Sequence, residues 1–388
     1  MDKLTENIVN HLHEICLKPS RHVGSAGEME TIDYIADSFR RYGYDNVVKE
    51  PFSTTGWHFD HIIFADLDNN CIPVPGALAC FFSQSCNVSG VPVWLTEENI
   101  KSVTAEDVRG KLCMVEFFSD AADIRGRNGI AEDLDRLGAA AAVFVSDSAY
   151  HTTCAPSSKI QRSPFLKTLG TAVVGEEGAY YLSRNRNHHY KLIIKAHTFE
   201  HTSYNVVAIR PGTGSKRAVI GAHFDAAPFG QAASDNASGT AMLLELSRLL
   251  KDKFPEWTFE FAAFDAEEYC IGYFPVGSKS YVDLHSDRKW EFYLNFDSIA
   301  IAFSHPSLHV GYKEKLKDFN TACRLLPIKL GGDDRSFNEL GVPTLWYGSN
   351  NIVFQDFHTP CDTIATLDIP RFKFIAEDAL QLLEALCN

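Results

Sequence analysis

Histidine and acidic residues follow several apolar stretches in the second half of the chain. Each stretch has the length and composition of a buried strand, and an amphipathic helix follows the first one. In α/β proteins the carboxyl ends of strands border the crevice where ligands bind, so we expect these polar side chains to converge there. Carboxylates gathered at one rim repel one another, and a bound cation would stabilise them. The residues are His223, Asp225, Asp235, Glu267, Glu268, Asp297 and His358.

The chemical types in this set indicate a metal site. Imidazole and carboxylate groups without thiolate suit zinc, and manganese and cobalt accept the same ligands. Five candidates are too many for one tetrahedral catalytic ion, but they fit two ions if Asp235, at a helix start, bridges them. The five candidate ligands are His223, Asp235, Glu268, Asp297 and His358.

Two further residues have predicted roles beside the metal. The adjacent Glu267 and Glu268 cannot both point at one ion, so one binds metal while the other accepts a proton from the attacking water. Asp225 lies two residues after His223, where its carboxylate can hydrogen-bond the second ring nitrogen and fix the tautomer.

The pattern of apolar residues predicts the elements that hold this set. Near-continuous apolar strands alternate with helices after residue 204, which is typical of a sheet covered on both faces. We predict an α/β fold, a three-layer sandwich with a mixed, mostly parallel sheet. The predicted helices cover residues 5–17, 27–42 and 370–386, and the predicted strands cover residues 47–52, 62–65, 205–209, 218–222, 258–264, 292–296 and 344–346.

The pattern changes between the early strands and residue 196. Short β-like runs are mixed there with a helix-like segment at 130–137 and a polar, loop-like stretch at 154–163. We predict that residues 76–195 form an inserted small β-rich domain, and that residues 1–75 and 196–388 form one discontinuous domain. The alternative is that these runs are further strands of a single continuous domain.

The motifs together resemble peptidase family M28, the co-catalytic zinc peptidases that include bacterial aminopeptidases and the glutamate carboxypeptidase group. The resemblance covers residues 204–388 well and residues 1–70 loosely, and the segment at 76–195 is similar to the protease-associated insert of some members. The matching motifs are His223-Phe224-Asp225, Asp235-Asn236-Ala237-Ser238-Gly239, Glu267-Glu268, Asn295-Phe296-Asp297 and His358-Thr359.

The resemblance implies a role for each residue. It implies that His223 and Asp297 bind one zinc, that Glu268 and His358 bind the other, and that Asp235 bridges the two. It further implies that Glu267 is the general base, with Asp225 supporting His223. The base would take a proton from the attacking water and pass it to the leaving amine.

The chain departs from the family near the expected position of the substrate. Asp334 replaces a histidine of a common family segment, and Phe357 replaces a tyrosine that steadies the oxyanion in some members. These changes bear on substrate preference more than on metal binding. Asp333, Arg335 and Tyr347 are the candidate substrate contacts, and Arg335 or Tyr347 would supply the missing hydrogen-bond donor.

The first functional expectation is a di-zinc aminopeptidase that acts on short peptides. An acidic ligand cluster suits a free α-ammonium group, and no arginine cluster near the motifs would hold a C-terminal carboxylate, although Arg335 could contribute to one. The same-family alternative is a carboxypeptidase or dipeptidase. Two candidates without peptidase activity are a glutaminyl cyclase-like transferase with one zinc and a non-catalytic peptidase-like binding module. The complete ligand set disfavours both.

Composition argues against two classes of partner, and the family resemblance implies a peptide substrate. The 388 residues carry a formal net charge of −14, which argues against nucleic acid and anionic membranes. The N-terminal residues lack the pattern of a signal peptide, and the ten cysteines form no CxxC pair. We therefore expect a cytoplasmic protein, although removal of an export signal would leave the same sequence. The sequence leaves the oligomeric state open.

Overall fold

The computed structural model describes residues 2–18, 20–96, 98–117, 124–146, 164–271, 274–311, 319–328, 330–350 and 357–388. The polar stretch predicted at 154–163 lies outside the described residues. In the described part of the chain, no helix has the length and apolar character needed to cross a membrane. The α-helices are α1 (Lys3–Cys16), α2 (Ala26–Arg41), α3 (Ala105–Val108), α4 (Ile124–Leu137), α5 (Glu176–Arg184), α6 (Ser238–Leu250), α7 (Val276–Leu284), α8 (Asp334–Glu339) and α9 (Ile369–Cys387).

The strands form one large sheet, a second smaller sheet and a short hairpin. They are β1 (Val47–Asp66), β2 (Ile72–Pro73), β3 (Ala77–Ala79), β4 (Cys86–Gly90), β5 (Val93–Leu95), β6 (Leu112–Phe117), β7 (Ala141–Ser146), β8 (Gly170–Val174), β9 (Tyr190–Arg210), β10 (Arg217–His223), β11 (Thr258–Phe264), β12 (Cys270–Ile271), β13 (Phe274–Pro275), β14 (Phe292–Phe296), β15 (His305–Val310), β16 (Arg324–Pro327) and β17 (Thr344–Asn350).

The large sheet has the strand order β16-β15-β17-β14-β10-β11-β9-β1-β2, and β4 also pairs with β9. Its centre is parallel, because β17, β14, β10 and β11 all run the same way. Strands β9 and β1 add antiparallel pairs on one side, and β15 pairs antiparallel with β17 on the other. The parallel centre brings the carboxyl ends of four strands to one edge of the sheet.

Helices cover both faces of the parallel centre, which explains why its strands are apolar throughout. Alternate residues such as Ile220 and Phe261 pack in one core with helices α1, α2, α6 and α9. Their neighbours, such as Val219 and Ala262, pack in another core with side chains of α7 and α8. The structure therefore confirms the predicted α/β three-layer sandwich with a mixed sheet.

The second sheet lies within the predicted insert and has the order β3-β8-β7-β6-β5. Its last four strands are parallel, and their inner side chains pack with α4 in a core of their own. The boundary of the insert as an independent domain stays a prediction.

Strand β1 differs from the prediction, which gave two strands at 47–52 and 62–65. It is one strand that pairs with β9 from Val47 opposite Ala208 to Asp66 opposite Tyr190. A bulge between Phe59 and His61 absorbs an extra residue, so the pairing continues through the intervening polar residues. Backbone pairing between two long strands does not need a continuous apolar run. The apolar pattern alone therefore does not predict the middle of this strand.

Candidate metal centre and active site

Three neighbouring parallel strands deliver the first site residues to one edge of the sheet. Strand β10 ends at His223, which lies opposite Phe264 at the end of β11. Glu267 and Glu268 come three and four residues after the end of β11, and Asp297 follows the last residue of β14. The convergence predicted from the sequence is therefore produced by strand register.

One cluster forms around His223, which is almost completely buried. Its Nε2 atom lies 3.1 Å from Oδ1 of Asp235 and 3.5 Å from Oδ1 of Asp297. The potential ligand atoms of these three residues lie within 4.8 Å of one another. One small cation could contact all three.

A second cluster shares Asp235 with the first. The Nε2 atom of His358 lies 2.6 Å from Oδ2 of Asp235 and 3.7 Å from Oε2 of Glu268. These three residues also bring ligand atoms within 4.8 Å of one another. The two oxygens of Asp235 thus face different clusters, which is the geometry a bridging carboxylate requires.

The electrostatics of His223 show that this place favours positive charge. Burial alone would lower the pKa of His223, but the Glu267 carboxylate and contacts with Asp225, Asp235 and Asp297 raise it well above the ordinary value. The surrounding groups are carboxylate and imidazole, which are ligand types that zinc accepts. The residues present therefore fit a divalent cation.

Asp225 connects the strand that carries His223 to the loop that carries both glutamates. Its Oδ1 atom lies 3.3 Å from Nδ1 of His223. Its two oxygens accept backbone hydrogen bonds from Glu267 and Glu268, each at 3.0 Å. Asp225 therefore orients the imidazole and both glutamates at once, a wider role than the one predicted.

The turn that presents Asp235 is held by Asp362, a residue that the sequence analysis did not identify. The Asp362 carboxylate accepts hydrogen bonds from the backbone N–H of Ser234 at 2.8 Å and of Asp235 at 3.2 Å. Burial raises the pKa of Asp362 to about 6. Its position four residues after His358 was the available signal, but an acid in a turn-rich loop is usually exposed.

Asn236 fixes the other end of the same turn. Its Oδ1 atom accepts a hydrogen bond from the N–H of Gly239 at 2.8 Å, at the start of α6. Its Nδ2 atom donates to the carbonyl of Phe296 at 2.9 Å, next to Asp297. One side chain therefore links the turn of Asp235 to the strand that carries Asp297.

Arg21 is a second residue that the sequence analysis missed. Its buried guanidinium donates to the carbonyl oxygens of Phe224 at 2.9 Å, Gln231 at 2.7 Å and Ala232 at 3.1 Å. Burial lowers the pKa of Arg21, and nearby acidic groups, Asp362 among them, oppose that shift. The bonded carbonyls lie about two hundred residues away, so no local pattern could reveal the role.

A cavity of about 230 Å³ opens beside the two clusters. Trp346 lines it, donates from Nε1 to the Asp297 carbonyl at 3.1 Å, and stacks on His309 with ring centroids 4.2 Å apart. The cavity is lined by Asp235, Glu267, Asp297, Ser298, Gly331, Gly332, Asp334, Trp346, Phe357 and His358.

The structure contradicts the expectation that Tyr347 contacts substrate. Its side chain is completely buried, stacks on Phe296, and donates its hydroxyl to Oδ2 of Asp378 at 2.6 Å. Successive residues of a strand point to opposite faces, so Trp346 lines the cavity while Tyr347 lies in the core. That alternation was the signal that could have identified Trp346.

The other two predicted substrate contacts, Asp333 and Arg335, are also absent from the described lining of the cavity. Arg335 donates its Nη2 atom to the Leu330 carbonyl and is absent from the described lining of the cavity. Asp333 is buried beside the cavity without lining it, and burial raises its pKa to about 7. Asp334 does line the cavity, and burial raises its pKa to about 6.

Comparison with known proteins agrees with this geometry. The model of peptidase family M28 matches residues 205–383, the stretch that contains both clusters. Over this stretch the chain is similar to peptidase family M28. The M28 match begins within β9 and ends within α9, so it covers the parallel strands and leaves the insert outside.

Individual relatives extend the comparison. The chain is 30% identical to Aminopeptidase YwaD of Bacillus subtilis over 230 residues, which is 53% of this chain and 49% of that protein. The chain thus spans about half the length of this curated relative. Among solved structures, a zinc aminopeptidase from Bacillus subtilis matches with a TM-score of 0.78 and 20% identity, over 98% of this chain and 95% of that one.

A peptidase M28 precursor from Shewanella amazonensis also matches, with a TM-score of 0.78 and 19% identity, over 99% of this chain and 93% of that one. At these identities the two solved structures show the M28 fold and no more. The match extends over nearly the whole chain and therefore includes the second sheet.

Proposed function

We propose that the protein is a di-zinc aminopeptidase that hydrolyses the N-terminal peptide bond of short peptides. The observation that carries this proposal is the placement of Asp235 between two clusters. One oxygen faces His223 at 3.1 Å, and the other faces His358 at 2.6 Å. Two ions bridged by one carboxylate are a known arrangement in hydrolases.

The lining of the cavity supports an aminopeptidase over a carboxypeptidase. Carboxylates of Glu267, Asp297 and Asp334 line it, and no lysine or arginine is among its described lining residues. A free α-ammonium group finds hydrogen-bond acceptors on such a surface, whereas a C-terminal carboxylate finds no cationic side chain to bind. The names of Aminopeptidase YwaD and of the Bacillus subtilis zinc aminopeptidase agree with this direction.

Glu267 is the proposed general base. It belongs to neither cluster of ligand atoms, yet it lines the cavity and its Oε2 lies 3.9 Å from Nε2 of His223. The hydrogen bond from its N–H to Asp225 fixes the backbone beneath it. Glu267 would accept a proton from the attacking water and return it to the leaving amine.

Zinc, when bound, would polarise the scissile carbonyl and lower the pKa of the attacking water. His223 and Asp297 would hold one ion, Glu268 and His358 the other, and Asp235 both. Asp225 keeps the His223 imidazole oriented, because the Nδ1 atom faces its carboxylate and leaves Nε2 for the metal.

Paired substrates that differ only at the α-amine test the proposal. We expect the zinc-loaded protein to hydrolyse leucyl-p-nitroanilide and leucyl dipeptides and to leave the N-acetylated forms intact. Cleavage of blocked dipeptides alone would show a carboxypeptidase instead. Cyclisation of N-terminal glutamine would show a cyclase, and no turnover of any substrate would leave a binding module.

A further inference from the structure

Asp334 is the one acidic residue of the described cavity lining that is neither a proposed metal ligand nor the proposed base. Its Oδ1 atom accepts a hydrogen bond from the N–H of Gly332 at 3.1 Å. Its Oδ2 atom is buried and has no hydrogen-bond partner among the described residues, and only 2% of the residue is exposed. A buried carboxylate oxygen without a partner is unfavourable unless a ligand satisfies it.

The surroundings of Gly332 place Asp334 next to the reacting groups. A Cβ atom added to Gly332 would lie 3.2 Å from Oε1 of Glu267, 3.5 Å from Oδ2 of Asp297 and 3.6 Å from Oδ1 of Asp334. Three carboxylates therefore surround one residue that has no side chain. A substrate group that reaches Asp334 passes close to the groups that perform the reaction.

Two aromatic side chains also line the cavity. Trp346 and Phe357 are among its lining residues, and the Phe357 ring is perpendicular to the imidazole of His358. The volume of about 230 Å³ is below the range of drug-sized ligand sites, so it suits a single side chain. Aromatic faces accept both an aliphatic stem and a cation.

Charge balance identifies the kind of side chain. The carboxylates of Asp235, Glu268, Asp297 and Glu267 together balance two divalent ions. An ionised Asp334 adds a further negative charge at a cavity whose described lining contains no lysine or arginine. A positively charged substrate group would compensate it, and the compensation is strong where water is excluded.

We propose that Asp334 determines specificity by binding the side-chain cation of a lysine or arginine at the N-terminus of the substrate. The aliphatic stem would lie along Trp346 and Phe357, and the cation would reach the buried carboxylate. This inference rests on the proposed aminopeptidase function and names its substrate class.

Lysyl- and norleucyl-p-nitroanilide test the inference, because the two side chains differ only at the terminal ammonium. We expect the wild-type protein to hydrolyse the lysyl substrate with a kcat/KM about tenfold higher, as one charge-assisted contact provides. The isosteric D334N should lose this preference, so that the ratio of its two kcat/KM values falls close to one. E339Q, an exposed change on the same helix, should retain the wild-type ratio.

The contradicting outcomes are distinct. A wild-type protein that cleaves both substrates equally would overturn the role of Asp334 while the aminopeptidase proposal stands. An equal loss for both substrates in D334N would overturn it too, because the carboxylate would then hold the α-ammonium or only the loop. If the wild-type protein cleaved no free-amine substrate, the proposed function would fail, and this inference with it.

Discussion

At the scale of single residues, the site depends on carboxylates that each contact several groups. Asp235 faces two clusters with its two oxygens. Asp225 contacts His223 and also accepts hydrogen bonds from the backbone N–H groups of both glutamates. A substitution at such a shared acceptor would change several contacts at once. Glu267 and Asp362 are each expected to have one role, so these two roles can be tested separately.

Glu267→Gln should retain metal binding and lose most turnover. The amide keeps the size of the side chain but cannot accept the proton of the attacking water, and a general base typically contributes about 10²- to 10⁴-fold. We expect kcat to fall by about that factor with zinc content unchanged. Steady-state kinetics beside metal analysis checks this, and normal turnover in the variant would show that Glu267 is not the base.

Asp362→Asn should weaken metal binding without changing any metal ligand. The asparagine has one acceptor oxygen, whereas the carboxylate accepts the N–H groups of both Ser234 and Asp235. Loss of such supporting contacts typically reduces metal affinity about 10- to 100-fold. Competition with a zinc chelator measures the effect, with exposed D37N on α2 as the control. Equal zinc affinities in D362N and wild type would contradict the role.

The position of a site residue was predictable where a local sequence pattern indicated it. It was not predictable where the role depends on a contact with a distant part of the chain. Apolar strands end at or shortly before His223, Asp297 and the Glu267-Glu268 pair. The sequence therefore indicates that these side chains lie near one another at the carboxyl edge of the sheet. Arg21 and Asp362 instead bond backbone groups far along the chain. Tyr347 points to the core face of its strand, where its partner Asp378 comes from the distant α9, so its motif position alone did not predict its burial.

At the scale of elements, the apolar runs and helical periodicities gave the parallel centre and the helices that cover it. The predicted helices at 5–17, 27–42 and 370–386 correspond to α1, α2 and α9 within two residues at each end. The prediction of two strands in place of β1 was wrong, because the middle of β1 is polar and its pairing partner, β9, is distant in the sequence. Long-range backbone pairing leaves a weak local signal when neither face is fully buried.

The contact between α1 and α2 predicts a pH-dependent stability. His11 of α1 contacts the hydroxyls of Tyr34 and Tyr42 at 2.8 and 2.7 Å, and burial lowers its pKa to about 4. In the unfolded chain the imidazole of His11 binds a proton near pH 6.5, whereas in the folded protein it does so only near pH 4. The stability that the neutral imidazole contributes is therefore complete above pH 6.5 and is lost progressively as the pH falls toward 4.

The expected loss from His11 is about 2 kcal/mol of unfolding free energy between pH 7 and pH 5. Urea unfolding at both values measures it, and His11→Gln should remove this component. His22 also has a pKa lowered to about 4 by burial, so the comparison is between variant and wild type. Parallel pH dependences in the two proteins would contradict the assignment to His11.

At the scale of the whole molecule, an aromatic cluster joins the insert to the site. Trp57 of β1 is completely buried, and its ring contacts Phe59, Phe81 and Phe229. Phe81 follows the first strand of the second sheet, and Phe229 lies in the loop between Asp225 and Asp235. The packing of the two sheets therefore reaches the loop behind the metal ligands.

Trp57→Ala should lower the free energy of unfolding by about 3–5 kcal/mol, the usual range for deleting a buried tryptophan. It should also reduce kcat/KM, since Phe229 loses a contact close to the loop that Arg21 holds. Denaturant unfolding and steady-state kinetics measure both effects. Trp94→Ala, a half-buried tryptophan of the second sheet that contacts Arg186, should leave kcat/KM unchanged. Equal activity loss in both variants would contradict a specific link.

The insert has a further proposed role at this scale. We expect it to restrict access to short peptides, because the face of its sheet that points away from α4 packs in one core with the aromatic cluster beside the site. A variant that replaces residues 76–189 with a short loop would leave β9 intact. We expect such a variant to accept longer peptides, and an unchanged length preference in a folded variant would refute that role.

The number of zinc ions that produces activity tests the central claim most directly. Metal-free protein would be titrated with zinc while hydrolysis of leucyl-p-nitroanilide is followed, with bound metal measured at each step. The shared position of Asp235 predicts that activity reaches its maximum at two zinc ions per chain. Full activity at one ion, with no further change at the second, would contradict the two-metal site.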